Sequence, residues 1–231
     1  MGKMPLIEVL DWGLIEYTQA LARQENLVEK IHHEKSRGIL IVCSHPPVIT
    51  LGRKTQPGDV FAWSGPLVEV SRGGRATYHG PSQLVLYPII NLDHPENDFP
   101  KRDIGWFLRT IESSIVDTLK KFGVESTGRS TQKKSESESA TDETGVWVDQ
   151  KKIASLGIGV RHWITFHGAA INLDRDPSAF KGLNPCGFNS SVMLCLEELT
   201  GKPVDREQFK TELLSQVQRY FNLAHTLRSS C

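Results

Sequence analysis

No run in this sequence is long and apolar enough to cross a bilayer: Gly38–Cys43 and Leu84–Ile90, the longest apolar stretches, fall far short of the roughly twenty residues a helical span needs. They read as buried strands. An excess of charge of either sign is also missing. Lys and Arg total 27, as do Asp and Glu, so no net field draws the chain to nucleic acid or to an anionic membrane. Cysteine is scarce and unpatterned. Cys43, Cys186, Cys195 and Cys231 show no Cys-x-x-Cys spacing and no histidine arrangement suited to structural zinc. In a reducing compartment they are expected to be thiols, and any one of them taken alone reads as a small buried hydrophobe. Met1 to Leu10 has neither the charged-then-apolar layout of a secretory signal nor the Arg- and Ser-rich character of a transit peptide. A cytoplasmic location is the expectation. Internal repeats are absent too.

What is present is an ordinary globular composition, 39% apolar. Leu6 to Leu10 predicts a strand, and Leu14, Tyr17, Leu21, Val28 and Ile31 then recur at helical spacing. Gly38 to Ser44 predicts a second strand, Val48 to Gly65 a loop-rich passage, and Gln83 to Ile90 a third strand. Ile104 to Phe122 carries one apolar helix face, closed by Gly123. Ser126 to Thr144 has almost no apolar residue and predicts a mobile surface loop without chemistry of its own. Gly145 to Val148, Ile153 to Val160 and Ile164 to Leu173 suggest consecutive antiparallel strands. Val192 to Leu199 predicts a short helix, and Asp205-Arg206-Glu207-Gln208 has a capping-box arrangement at the head of a last helix to about Phe221. Helices before and after a mostly antiparallel block make a single α+β domain over residues 1–231 the expected architecture.

Three clusters ask for chemistry. In Arg72-Gly73-Gly74-Arg75-Ala76-Thr77-Tyr78-His79-Gly80-Pro81-Ser82-Gln83, two glycines let the backbone approach a ligand, and the following strand carries an aromatic and an imidazole at fixed offsets. The blander reading is a glycine turn and an ordinary strand. A Walker phosphate loop is excluded, because no Lys-Ser or Lys-Thr pair follows the glycines. In Gly145 to Gly157, Lys152 enters a strand of small residues, where a desolvated amine could take and return a proton. Most lysines beside a turn, Lys151 and Lys152 included, would simply be solvated. In the third cluster, His167-Gly168-Ala169-Ala170-Ile171-Asn172 precedes Asn184-Pro185-Cys186-Gly187. Proline before and glycine after Cys186 set the backbone and leave the sulfur open, as a nucleophile requires. The amides of residues 168 to 170 could serve a developing oxyanion. Spacing does not choose among His79, His167 and Lys152 as partner of the thiol.

Together these segments resemble the bacterial octanoyltransferase family, of the biotin/lipoate protein ligase fold. The resemblance rests on Arg72-Gly73-Gly74-x-x-Thr77-Tyr78-His79-Gly80-Pro81, on Gly145-Val146-Trp147-Val148 with Lys152-Ile153-Ala154-Ser155-Leu156-Gly157, and on His167-Gly168-x-Ala170-x-Asn172 with Pro185-Cys186-Gly187. It implies an acyl-thioester intermediate on Cys186 and an acid/base role for Lys152. It implies substrate contacts at Arg72, Gly73, Gly74, Arg75, Ala76, Thr77, Tyr78 and His79, at Ser155, Leu156 and Gly157, and at Gly168, Ala169 and Ala170, with His167 in support. The implied donor is octanoyl-acyl carrier protein, and the implied acceptors are lysines of lipoyl domains and of the glycine cleavage H protein. A thioester is already activated, so no ATP, cofactor or metal is implied, and a monomer is the plainer expectation. Two positions depart from the family pattern: Ser82 stands where glycine is usual, with a side chain that would narrow the approach to the pocket, and Ala76 stands where a longer residue is common. The competing readings are an ATP-dependent lipoate or biotin ligase, a Cys/His hydrolase or amidotransferase using His167, and a non-catalytic binder of acylated lipoyl domains.

Overall fold

A computed structural model describes residues 7–95, 97, 99–130 and 143–223. Among these no helix is long and apolar enough to cross a membrane. Strand β1 (Glu8–Leu14) lies parallel to β2 (Gly38–Ser44). It continues past Leu10 because the Ile15 amide still bonds the Ser44 carbonyl at 3.0 Å. Leu14, expected to open the helical stripe, is therefore an exposed strand end. Helix α1 (Tyr17–Glu34) starts after it and buries Tyr17, Ala20, Gln24, Val28 and Ile31, one stripe at three- and four-residue steps.

The passage expected to be loop from Val48 contains β3 (Val48–Leu51), a strand because it finds partners on both sides: β4 (Leu67–Glu69), parallel, and β5 (Thr77–His79), antiparallel. Strand β6 (Gln83–Ile90) is buried along its whole length. Helix α2 (Ile104–Lys121) is capped by Asp103, whose carboxylate accepts from the Trp106 amide at 2.7 Å. A short strand β7 (Thr127–Gly128) opens the polar stretch that was expected to be loop throughout; residues 131–142 of that stretch lie outside the described residues. Strands β8 (Gly145–Val148), β9 (Lys151–Arg161) and β10 (Ile164–Asn172) form the expected antiparallel meander. The single helix expected over Val192 to Leu199 is broken into a 3-10 turn and α3 (Leu196–Thr200). Met193 bridges Lys152 in parallel and the Leu194 amide bonds the Lys152 carbonyl at 3.2 Å, which keeps this stretch extended along β9. In α4 (Arg206–Leu223) the Asp205 carboxylate accepts from the Gln208 amide at 2.9 Å, as its sequence predicts.

The large sheet runs β1-β2-β6-β10-β9-β8-β7, and β4-β3-β5 form a second, small sheet. Alternation divides the large sheet's residues between two cores. On one face Leu40, Val42, Leu84, Leu86, Ala169 and Ile171 pack with Phe107, Ile111 and Ile115 of α2 and with Phe209, Leu213 and Val217 of α4. Each of the larger of these side chains stabilises the fold by roughly 1.5–3 kcal/mol on leaving water. On the other face Ile41, Cys43, Val85, Tyr87 and Ala170 pack with Ala20, Val28 and Ile31 of α1. The second core covers less of the sheet, and the remainder of that face carries the site.

Candidate active site

A narrow cleft of about 430 Å³, the open solvent at its mouth included, opens on the α1 face between the large sheet and the small one. Its floor is Val85 and Tyr87 of β6, Gly168 to Ala170 of β10 and Ser155 to Gly157 of β9. Tyr17 of α1, Arg72 and Gly74 of the glycine turn, Thr77 and His79 of β5, and Cys186 complete it. Alternation along β5 explains which residues of the glycine motif reach the cleft. Thr77 and His79 face it, while Ala76 and Tyr78 turn into the small core with Ile49, Phe180 and Leu183. Gly73, Arg75, Ala76 and Tyr78, four positions expected to touch substrate, therefore do not line the cleft. Gly73 instead donates its amide to the Ile158 carbonyl at 2.9 Å, which ties the turn to β9. The approach is close enough to favour glycine at 157 opposite, where a Cβ would stand a tight 3.1 Å from the Gly73 oxygen.

Arg72 frames this turn from inside. Its guanidinium donates to the carbonyls of Gly73 (2.9 Å), Arg75 (2.8 Å) and Thr50 (2.9 Å) and to the Thr50 hydroxyl (2.8 Å). Its charge acts on the cleft's imidazoles and on the Tyr17 phenol. His167 is pushed down to about 3, first by burial and then by Arg72. Burial also drives His79 well below its ordinary value, with the His45 and Arg72 charges adding to it. His45, bonded at 2.7 Å to both the Ile15 carbonyl and the Tyr87 hydroxyl, is lowered by burial to about 4. These imidazoles are neutral at physiological pH and are poor acceptors of a proton in a reaction.

Cys186 lies in a 3-10 turn, Pro185–Gly187, with a φ of 55°, a left-handed conformation that disfavours any side chain. Its amide bonds the Ala76 carbonyl at 2.9 Å, which seats the turn against β5. The sulfur is not openly exposed as the Pro-Cys-Gly setting predicts: Cys186 is 7% exposed and lines the cleft. Burial pushes the thiols of Cys43 and Cys195 up, the latter to about 11, so both stay protonated at neutral pH. Cys231 lies outside the described residues.

Lys152 is 1% exposed. Its orientation comes from a bulge, because the β8–β9 register steps from Val146↔Ala154 to Trp147↔Lys152 and leaves Ile153 over. Regular alternation would put Lys152 on the face opposite Ser155; the bulge puts both on the cleft face. Lys152 packs between Gly145 and Trp147: a Cβ at Gly145 would meet Lys152 Cε at 2.6 Å, and Lys152 Nζ lies 5.4 Å from the Trp147 ring centroid. Trp147 in turn makes an edge contact with Phe188, two residues after Cys186, at 5.4 Å between ring centroids. Lys152 does not itself line the cleft. Lys151 is exposed and donates to the Ser191 carbonyl at 2.6 Å.

Two further expectations change. Ala169 and Ala170 pair with β6 on one side and β9 on the other, so their amides are committed to the sheet and do not serve an oxyanion. Ser82 lies off the cleft, donating to Asp176 at 3.3 Å in a separate hollow with Phe180 and Met193, so it does not narrow the approach. Tyr17, Val85 and Tyr87 were not among the expected site residues. The only sequence signal for Val85 and Tyr87 was that they share a face of one strand.

Residues 16–218 match the lipoyl protein ligase A/B catalytic domain. The octanoyltransferase of Bdellovibrio bacteriovorus is 57% identical over 204 residues, covering 88% of this chain and 93% of that protein. That of Syntrophotalea carbinolica is 36% identical over 212 residues, covering 92% and 93%. Among solved structures, a lipoate-protein ligase A bound with ATP superposes at a TM-score of 0.67 with 14% identity, over 98% of this chain and 95% of that one. The Aquifex aeolicus biotin protein ligase in complex with biotin and ATP gives 0.53 with 12% identity, over 94% and 71%. At such identities these structures bear on the fold alone.

Proposed function

The chain belongs to the octanoyltransferases of the lipoyl protein ligase A/B catalytic family, and from that premise we propose that it carries the octanoyl group on Cys186 between an acyl carrier protein and the lysine of a lipoyl domain or glycine cleavage H protein, in the cytoplasm. The observation that supports this most is a buried Cys186 in the cleft wall, with a fully buried Lys152 turned to the same face of the sheet.

In the first step Cys186, its thiol proton passed to Lys152, attacks as the thiolate and bonds the thioester carbonyl carbon, the carbon–sulfur bond to the carrier breaks, and the carrier thiolate takes that proton from Lys152. In the second the acceptor amine attacks the acyl carbon, the bond to Cys186 breaks, and the amine's proton returns to Lys152 as the amide forms. Each step exchanges one acyl bond for another, so no adenylate is needed. The Ser155 hydroxyl, on the cleft wall and without a hydrogen-bond partner among the described residues, is the donor assigned to the carbonyl oxygen as it gains charge. The apolar side chains on the cleft's face of the sheet, Val85 and Ala170, suit an unbranched acyl chain. His167 is the weaker partner for Cys186, since burial and Arg72 hold its imidazole neutral down to about pH 3.

Intact-mass measurement after mixing with octanoyl-carrier donor is expected to show one octanoyl adduct, absent in Cys186→Ser and discharged on adding a lipoyl domain. A Cys186→Ser enzyme that octanoylated the domain at the wild-type rate would sink the proposal. Adenylate formed from octanoate and ATP would instead favour a ligase.

A further inference from the structure

We infer that Asp59 and Arg75, neither of which lines the cleft, act as one positioning unit that holds the Cys186 turn in register with the cleft. The inference rests on Cys186 being the acyl carrier. Asp59, 1% exposed, takes the Arg75 guanidinium in a two-pronged ion pair through Nη2 and through Nε, the latter at 3.0 Å. The pair joins three segments that meet at the nucleophile. Through its carboxylate Asp59 also accepts from the Gln56 amide at 2.9 Å, which fixes its own loop. Through its main-chain carbonyl it accepts from the Asn184 amide at 2.8 Å, two residues before Cys186. Asn184 returns a side-chain bond to the Gly58 carbonyl at 3.3 Å, and Val60 bridges Leu183. Arg75, for its part, precedes Ala76, whose carbonyl receives the Cys186 amide at 2.9 Å.

Cys186 is thus gripped from both sides: from Ala76 by its own amide, and from Asp59 through Asn184. The ion pair clamps those two grips together. Such a clamp is called for because Cys186 sits at a φ of 55°, a conformation that costs free energy and persists only where the surroundings over-determine it. Hydrogen bonding to Asp59, against the desolvation of burial, and then the charge of Asp59 hold the Arg75 guanidinium above its ordinary value, which keeps the pair ionised.

The test measures octanoyl transfer to a lipoyl domain by the full chain in Asp59→Asn, Arg75→Lys and the double variant, with intact-mass detection of the Cys186 adduct in the wild type alongside. Asparagine keeps the shape and can still accept from Gln56, and lysine keeps the charge without the fork. Each single variant is expected to lose about 10- to 100-fold in kcat, the effect of a displacement of about 1 Å at a nucleophile, with KM for the donor unchanged. The double variant is expected to be no slower than the worse single, because the two residues act as a unit. A wild-type kcat in Asp59→Asn overturns the inference, as does a raised KM at unchanged kcat, which would make the pair a binding element. A lowered melting temperature with kcat per folded molecule unchanged also overturns it and leaves a merely structural ion pair. A wild type that transfers octanoyl without ever carrying it on Cys186 overturns the thioester reading itself and this inference with it, a result distinct from the others.

Discussion

Lys152 and Gly145 meet across the bulged ladder of β8 and β9 at the place where a side chain on Gly145 would begin, 2.6 Å from Lys152 Cε. The small residue and the buried lysine are therefore one feature. A β-carbon at position 145 would also stand 2.2 Å from the Ala154 carbonyl oxygen, at a φ of 146°.

Gly145→Ala is accordingly expected to displace the Lys152 side chain and to lower both transfer activity and melting temperature. Lys152→Met separates the two effects. It keeps the chain's bulk while removing the amine, and is expected to lose on the order of 10²- to 10⁴-fold in kcat, the usual contribution of a positioned acid/base group, with thermal stability kept or improved. Steady-state octanoyl transfer and a melting curve on the same samples check this. An active Lys152→Met enzyme would remove the lysine from the mechanism.

Trp147 offers its ring to Lys152 at 5.4 Å, holds the Arg129 guanidinium at 4.2 Å, and meets Phe188 in a T-shaped contact. A ring face attracts a cation by about 0.5–2 kcal/mol, more as water is excluded. Trp147→Phe retains a face and Trp147→Leu does not. The expected outcome is a kcat for Phe between those of wild type and Leu, at equal donor KM, because Trp147 lies off the cleft. Equal kcat values for Phe and Leu would show that only bulk matters there.

Acid should unfold the protein through its buried imidazoles before its carboxylates. His45 and His167 are lowered to about 4 and about 3 in the fold, against about 6.5 in an unfolded chain. Between those values the unfolded state binds more protons, so stability is full above the unfolded value and falls as pH drops below it. Each histidine contributes a slope of up to about 1.4 kcal/mol per pH unit, ending near pH 4 for His45 and near pH 3 for His167. His79 acts in the same direction. Urea midpoints are expected to be flat from pH 8 to about 7 and to fall steadily from about 6.5 to 4.5, with a shallower fall in His45→Gln. A midpoint constant to pH 5 would contradict the neutral, water-excluded environment assigned to these rings.

What could be read from the sequence was whatever neighbouring residues decide among themselves. The glycine turn before β5, the Pro-Cys-Gly turn, the Asp103 and Asp205 caps and the apolar stripes of α2 and α4 follow from local backbone preferences and from periods of two and 3.6. These were enough for most of the architecture and for marking Cys186 as a candidate nucleophile, whereas Lys152 was preferred to the histidines only through the resemblance to the octanoyltransferases. The tertiary structure decided everything that depends on a partner far along the chain. Lys152 lies on the cleft's side of the sheet only because β9 carries one residue more than β8 in their pairing, and a bulge belongs to two strands, so neither strand's sequence encodes it alone. Val48–Leu51 became a strand because β4 and β5 supplied partners, and Met193 left a helix because Lys152 offered it a bridge. Arg75, expected to touch substrate, went to Asp59. Tyr17 entered the cleft because α1 lies across the sheet. Hydrogen bonds and burial are satisfied by whatever the fold brings within about 3 to 4 Å, and sequence separation says nothing about that distance.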